Sequence, residues 1–210
     1  MNSDYEFWES LFSKEGALWK FEPSDSAFMA LDLFKSKNVS DLLIPGIGYG
    51  RNAKLFCDNG MTVTGIEISD SAIEIAKKLD INGKIYHGSV TAMPFDTKNY
   101  DAIYCYALIH LLNSHERRIF LKSCYNQLRK GGLMIFTVAS VKMDSYGEGK
   151  YISHNRYLLN NSLKVYFYDE SSVRSEFSDF GLITFNYLEE PVKFKDGQNP
   201  LQMFYIVCEK

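Results

Sequence analysis

A chain of 210 residues suits one domain with a sizeable core and is short of two average ones. Its 23 basic and 26 acidic side chains leave a net charge of −3, which excludes the electrostatic footprint of a nucleic-acid binder and the polybasic patch of a membrane-surface protein. Apolar residues at 46% and aromatic residues at 15% exclude a disordered chain and leave rings over for a pocket.

The opening stretch, "MNSDYEFWES", carries acids where a signal peptide carries bases, and no run approaches the roughly 20 apolar residues of a membrane span. A soluble, cytoplasmic protein is expected, as a monomer or homodimer. Residues 3–36 read as two amphipathic helices around "GALWKFEPSDS", with Ser24 or Asp25 placed to cap the second. From 41 to 138 short apolar runs alternate with helical stretches: strand 41–45, helix 51–58, strand 61–67, helix 70–79, strands 84–87 and 101–106, helix 114–129, strand 132–138. Runs such as "MTVTGIEI" and "LMIFTV" are apolar on both faces and rich in β-branched residues, as a parallel strand covered by helices requires. Repeated βα units predict an α/β fold with a doubly wound, mostly parallel sheet. The segment 140–165 breaks the rhythm with glycines, asparagines and tyrosines and reads as an insertion over the sheet edge. "DESSVRSEFSDFG" restores a helix that stops at Gly181. "LITFNYLEE" and "LQMFYIVCEK" then form an antiparallel strand pair joined by a loop containing Asp196, Gly197 and Pro200. The expected organisation is a single domain over 1–210: a helical cap (1–38), a ligand-binding core (39–138), an insertion (139–166) and a closing helix and strand pair (167–210).

Chemistry concentrates at "LLIPGIGYGRN", residues 42–52, where the first strand ends and Gly46, Gly48 and Gly50 alternate. On open α/β sheets ligands bind at the carboxyl ends of the strands, and glycines there permit positive φ and close approach to main-chain amides. The helix from Arg51 directs its N-terminal amides at the same place, which suits a nucleotide or a small carboxylate. Such turns also use glycine for geometry alone, so the next strand matters: "VTGIEIS" ends in Glu67, where an acid can accept from both ribose hydroxyls, with Ile68 beside it to cover a base. A solvated strand end is the plain alternative for Glu67. The dinucleotide fingerprint needs a small residue three positions after Gly48, where this chain has Arg51, which argues against NAD.

"LLIPGIGYGRN", "VTGIEIS", "GSVTAMPF", "YDAIYCYALIHLL" and "LRKGGLMIFT" stand in the order of the class I S-adenosylmethionine-dependent methyltransferases. The likeness covers residues 40–138 and, with the closing strands, most of the chain; its details resemble the small-molecule branch that includes tellurite-resistance and thiopurine methyltransferases. The resemblance implies a Rossmann-like seven-stranded sheet with helices on both faces, S-adenosylmethionine as cofactor and S-adenosylhomocysteine as product. It places Gly46, Gly48 and Gly50 around the methionine moiety, Glu67 on the ribose, Ile68 on adenine, Ser89 and Val90 at the adenine edge, and the Cys105 carbonyl on the ammonium. Two positions depart from the family: Ile44 stands where an acid is common, and Ser89 where an Asp is common. Arg51 is assigned to the methionine carboxylate, with a surface ion pair as its alternative.

Displacement at a sulfonium needs alignment in a dry site, with a general base optional. His110, following the fourth strand in "CYALIHLL", is the candidate base, and a structural histidine is the other reading. Tyr106, next after Cys105 at the end of that strand, can orient an acceptor or belong to the core. Trp19 is placed to close over the cofactor's sulfur end or to serve as an apolar anchor. Tyr146, Tyr151, His154 and Arg156 are candidates for a mobile lid over the acceptor. The remaining histidines lack metal-ligand spacing, the four cysteines lack a CxxC pair, and no acidic metal cluster can be assembled, so no metal is expected. Without a basic face, or the Asp/Asn-Pro-Pro-aromatic motif of DNA amino-group enzymes, a small-molecule acceptor is favoured over nucleic acid. A nicotinamide oxidoreductase and a non-catalytic S-adenosylmethionine-binding module are the competing readings.

Overall fold

Residues 3–193 and 197–210 are described by the computed structural model, so Asp196 of the closing loop lies outside them. The apolar runs become β1 (Asp41–Pro45), β2 (Thr62–Glu67), β3 (Gly83–His87), β4 (Tyr100–Tyr106), β5 (Leu128–Ala139), β9 (Leu182–Glu190) and β10 (Leu201–Glu209) of one sheet in the order β3-β2-β1-β4-β5-β10-β9. β1 to β5 pair in parallel, and β10 runs antiparallel to both β5 and β9. The antiparallel character is therefore confined to β10, inserted between two strands that share a direction. The helices are α1 (Ser3–Glu15), α2 (Asp25–Ser36), α3 (Arg51–Asp58), α4 (Asp70–Ala76), α5 (Ser114–Gln127) and α6 (Glu170–Phe177). Among the described residues no helix is long and apolar enough to cross a membrane.

Strand alternation divides the core in two. Ile103 and Cys105 of β4, Met134, Phe136 and Val138 of β5 and Phe204 of β10 meet Phe120 and Cys124 of α5 and Val173 and Phe177 of α6. Ala102 and Tyr104 of β4, Ile135 of β5 and Val207 of β10 meet Ala30 and Phe34 of α2 and Phe56 of α3 on the opposite face. A side-chain period of two on strands covered from both sides produces this split.

The helix starts are held by carboxylates distant in sequence. Ser24 is the N-cap of α2, but its side chain makes no cap bond there. Instead Glu190, at the end of β9 and 1% exposed, accepts from the amides of Asp25 (2.7 Å) and Ser26 (3.1 Å). The Ser24 hydroxyl turns inward to Asn52 Oδ1 and the Tyr104 hydroxyl, a buried polar contact between α2, α3 and β4. Glu9 of α1 likewise takes the start of α4, accepting from Ser69 Oγ (2.7 Å), Ser71 Oγ (2.6 Å) and Ser71 N (3.0 Å). An acid at a helix N-terminus satisfies orphan amides and the dipole together. Replacing Glu190 with alanine is expected to cost about 2 kcal/mol, the upper range for a lost cap, and to lower Tm by roughly 4 to 8 °C for a chain of this size. A differential scan showing a fall under about 1 °C would mean that the apolar face alone holds α2.

The segment read as an insertion over the sheet edge contains a meander of β6 (Lys150–Ser153), β7 (Arg156–Leu158) and β8 (Lys164–Tyr166). Its tight turn places Asn155 at φ 55, with Oδ1 accepting from the Tyr146 hydroxyl (2.9 Å) and Nδ2 donating to Asp169 (3.0 Å). Arg156 donates to the carbonyl of Leu112 at 2.7 Å and fastens the meander to the loop after β4. The meander has a physical cause: polar turn residues close short strands, and Val165 of β8 and the adjoining Phe167 pack with Ala139 of β5.

Candidate functional site

The order β2-β1-β4 reverses the direction of winding at β1, and the loop 46–50 leaves the sheet at that point. The three glycines have left-handed φ for different reasons. Gly46 (φ 67) lies against the loop after β4: a Cβ there would stand 2.1 Å from Leu108 Cδ1. Gly50 (φ 87) is the N-cap of α3. Gly48 (φ 58) faces no protein atom within 4 Å of a built Cβ, so a clear space remains directly above its main chain. That opening is the feature expected of a cradle whose occupant comes from outside the chain.

Glu67, 6% exposed, stands over the same loop. Its Oε1 accepts from Ile68 N (2.8 Å) and Ser69 N (2.9 Å), and its Oε2 from Gly48 N (2.9 Å). A carboxylate has about four lone-pair sites. With three engaged by amides, one position on Oε2 is left for a ligand, where the sequence suggested acceptance from two hydroxyls. Burial raises the Glu67 pKa above the ordinary 4.5, against the opposing pull of the Ser69, Gly48 and Ile68 amides. Ile68 is half-buried, and its carbonyl pairs with His87 Nε2 at 3.0 Å.

Arg51 opens α3 and points across the switch point: Nη1 donates to the Glu22 carbonyl (3.2 Å) and its guanidinium lies 5.2 Å from the Tyr106 ring centre. Among the described residues it forms no ion pair with a carboxylate. Burial pushes the Tyr106 hydroxyl up to about 12, with Glu190 adding to it, so the phenol stays protonated. Cys105 is fully buried in the core, which leaves its main chain as the part that can meet a ligand. Ile44 is buried at 3%, and the one acid of β1, Asp41, stands at the strand's other end, away from the loop.

The N-terminal segment reaches this end of the sheet through a cluster of rings that the sequence did not assign. Tyr49, 2% exposed, donates to the Lys20 carbonyl (2.5 Å), and Trp19 stacks on it at 6.3 Å and 12° while meeting Phe12 edge-on. Trp19 is thereby an anchor of the segment 16–24 on the glycine loop. Asn52, directly after Arg51, accepts from Ser24 N (2.9 Å) and completes that attachment. The asparagine in "GRN" was the available signal for it.

Ser89 and Val90 follow β3, but the Ser89 hydroxyl caps the next turn through Thr91 N (3.3 Å) and Val90 is 7% exposed against the core. Contact from them to a base therefore falls to main-chain atoms. Tyr146 turns into the meander against Tyr157 and Phe167, and Tyr151 is 62% exposed. His110 is buried, with Nδ1 accepting from Ala139 N at 3.2 Å. Burial, with Arg117 nearby, lowers its pKa to about 4. Two open surface grooves, of about 350 and 310 Å³, lie elsewhere, one beside α6 and β9 and the other around Asp144 and Pro200. Neither is lined by the glycine loop, and neither brings together groups that would perform chemistry.

Residues 43–136 match the family model described as "Methyltransferase domain". The ubiquinone biosynthesis O-methyltransferase of Coxiella burnetii is 27% identical over 118 residues, 53% of this chain and 47% of that protein. The chain thus spans about half the length of the curated relatives it matches. Burkholderia thailandensis 1,6-didemethyltoxoflavin-N1-methyltransferase, solved with 1,6-didemethyltoxoflavin and S-adenosylhomocysteine, superposes with a TM-score of 0.73 at 14% identity, covering 98% of this chain and 86% of that one. TehB from Haemophilus influenzae gives 0.66 at 18% identity over 97% of this chain and 67% of its own.

Proposed function

We propose that this chain, whose residues 43–136 match the methyltransferase-domain model, is a class I S-adenosylmethionine-dependent enzyme that transfers a methyl group from S-adenosylmethionine to a small-molecule acceptor in the cytoplasm. The single observation that carries the reading is the open space over Gly48 beneath a buried Glu67 that keeps one acceptor position free. These residues fit an amino-acid-bearing nucleoside: glycine main chain for the methionine part, a carboxylate lone pair for a ribose hydroxyl, and Ile68 for the adenine face. Arg51, a half-buried cation without a carboxylate partner among the described residues, suits the methionine carboxylate. The Cys105 main chain, at the end of β4, suits the ammonium. When bound, S-adenosylmethionine supplies an electrophilic methyl group on a positively charged sulfur. The chain's own contribution is alignment and exclusion of water: Trp19 and Tyr49 close the N-terminal segment against the loop, and Tyr106 presents a protonated hydroxyl beside the strand end. A net charge of −3 supports a small acceptor over nucleic acid.

Thermal unfolding with S-adenosylhomocysteine, S-adenosylmethionine or NAD tests the reading. A ligand at about 100 times its Kd adds about 2.7 kcal/mol to stability. Both sulfur nucleosides are expected to raise Tm by roughly 5 to 10 °C for a chain of this size, with NAD inert. A rise with NAD alone would overturn the assignment.

A further inference from the structure

We propose that His110 is a fixed hydrogen-bond donor to the methyl acceptor, presenting Nε2–H at the carboxyl ends of β4 and β5, and is not a general base. The inference rests on the methyl-transfer reading above and adds a requirement on the acceptor.

The geometry at the other ring nitrogen carries it. Ala139 N donates to Nδ1 at 3.2 Å. A ring nitrogen that accepts carries no proton, so the neutral ring holds its proton on Nε2. To receive a proton at Nε2, the ring would first have to move its own to Nδ1, setting two donors face to face around a buried amide. The chain on the other side of that residue is held as well: Ala139 is the last residue of β5, and its carbonyl accepts from Tyr168 N at 2.8 Å. The loop itself is held from two sides: Ala107 N donates to Thr137 Oγ1 (3.1 Å), and Arg156 of the meander donates to the carbonyls of Leu111 and Leu112.

The same loop adjoins the cradle, since Leu108 is the side chain that fills the position over Gly46. Nε2 makes no hydrogen bond among the described residues, so its proton is available to a partner from outside the chain. Burial favours the neutral form of the ring, and Arg117 of α5, paired with Glu176 of α6, adds to it, so the pKa falls to about 4. A donor placed on the nucleophilic atom itself would hold back the electron pair that attacks. The acceptor matched to this site therefore bears a hydrogen-bond-accepting atom, such as a carbonyl oxygen or a bare ring nitrogen, next to the atom that is methylated. It arrives already in its nucleophilic form.

The test uses the full chain labelled with ¹⁵N-histidine, read by long-range proton–nitrogen correlation from pH 5 to 8 with and without S-adenosylhomocysteine. Single replacements of the exposed His87, His115 and His154 assign the fourth signal by elimination, so nothing depends on a His110 variant folding. Expected are a bare Nδ1 and a protonated Nε2 throughout the pH range, with the Nε2 signal moving when S-adenosylhomocysteine binds. A proton on Nδ1, a titration midpoint inside the range, or a signal indifferent to bound S-adenosylhomocysteine would each overturn the proposal. Failure of S-adenosylhomocysteine to bind at all, seen as no change in Tm and none at His87, would overturn the methyl-transfer reading and the acceptor role with it, whatever the tautomer.

Discussion

Replacing Glu67 with glutamine is expected to weaken S-adenosylhomocysteine binding about 10- to 100-fold, or roughly 1.4 to 2.8 kcal/mol, measured by calorimetry. The glutamine carbonyl can keep the amides of Ile68 and Ser69, which converge on Oε1. Its NH₂ group then falls at Oε2, facing the Gly48 amide with a second donor and removing the acceptor position offered to the ribose. The effect should be confined to the cofactor site, because the strand and its core neighbours are untouched. The pH dependence gives a second signature. Burial raises the folded pKa of Glu67 above the ordinary 4.5, so the folded protein binds that proton more tightly than the unfolded chain. Stability without ligand therefore falls as pH rises from about 4.5 through the folded value. Cofactor affinity rises over the same window, because only the carboxylate accepts from the ribose at full strength. Glu67→Gln should abolish both trends together. Unchanged affinity with an intact fold would remove Glu67 from the site.

What the sequence disclosed and what it hid divide along the range of the contacts involved. β1, β2, β4 and β5 were legible because a parallel strand buried on both faces must be a continuous apolar run, and "LLIP", "VTGIE" and "IYCY" are such runs. Gly46, Gly48, Gly50, Glu67 and Arg51 were legible as a set because strand ends and loop lengths alone bring them to one edge of the sheet. What those residues do to each other was not. That Glu67 binds the Gly48 amide, which lowers its free acceptor capacity, depends on a rotamer that no spacing specifies. The cap of α2 was misread for the same reason: Ser24 is the right residue type in the right place, and a carboxylate 165 positions away from Asp25 takes its role. The sequence left His110 open between a candidate base and a structural histidine after β4, and the amide of β5 that its Nδ1 accepts from lies 29 positions away, where no local pattern points to it. The meander went unseen because three- and four-residue strands carry too little alternation to stand out from a polar loop.

Removing one partner of the buried pair Arg117–Glu176 is expected to have the largest effect on stability. Arg117 is 6% exposed, and its Nε donates to both Glu176 oxygens, at 2.8 and 3.1 Å. Its guanidinium lies 4.0 Å from the Tyr166 ring centre, and the Tyr168 hydroxyl donates to Glu176 at 2.7 Å. One ion pair therefore joins α5, α6 and the chain leaving the meander, on the face of the sheet that also holds His110. Among the described residues Glu176 is the only carboxylate paired with this largely buried cation, so Glu176→Ala is expected to cost about 3 to 5 kcal/mol. At roughly 2 to 4 °C per kcal/mol for a chain of this size, Tm should fall by about 6 to 20 °C. The pair itself contributes far less than this, because bringing both charges out of water offsets most of their attraction. Arg117→Met with Glu176→Leu, which removes both charges and keeps apolar bulk, should therefore recover most of the loss made by Glu176→Ala alone. Denaturant titrations of the single and double variants decide the matter. A Glu176→Ala cost below about 1 kcal/mol would equate the pair with an exposed salt bridge. A double variant as unstable as the single one would mean that the geometry of the guanidinium between Tyr166 and Glu176, and not charge compensation, holds α5 to α6.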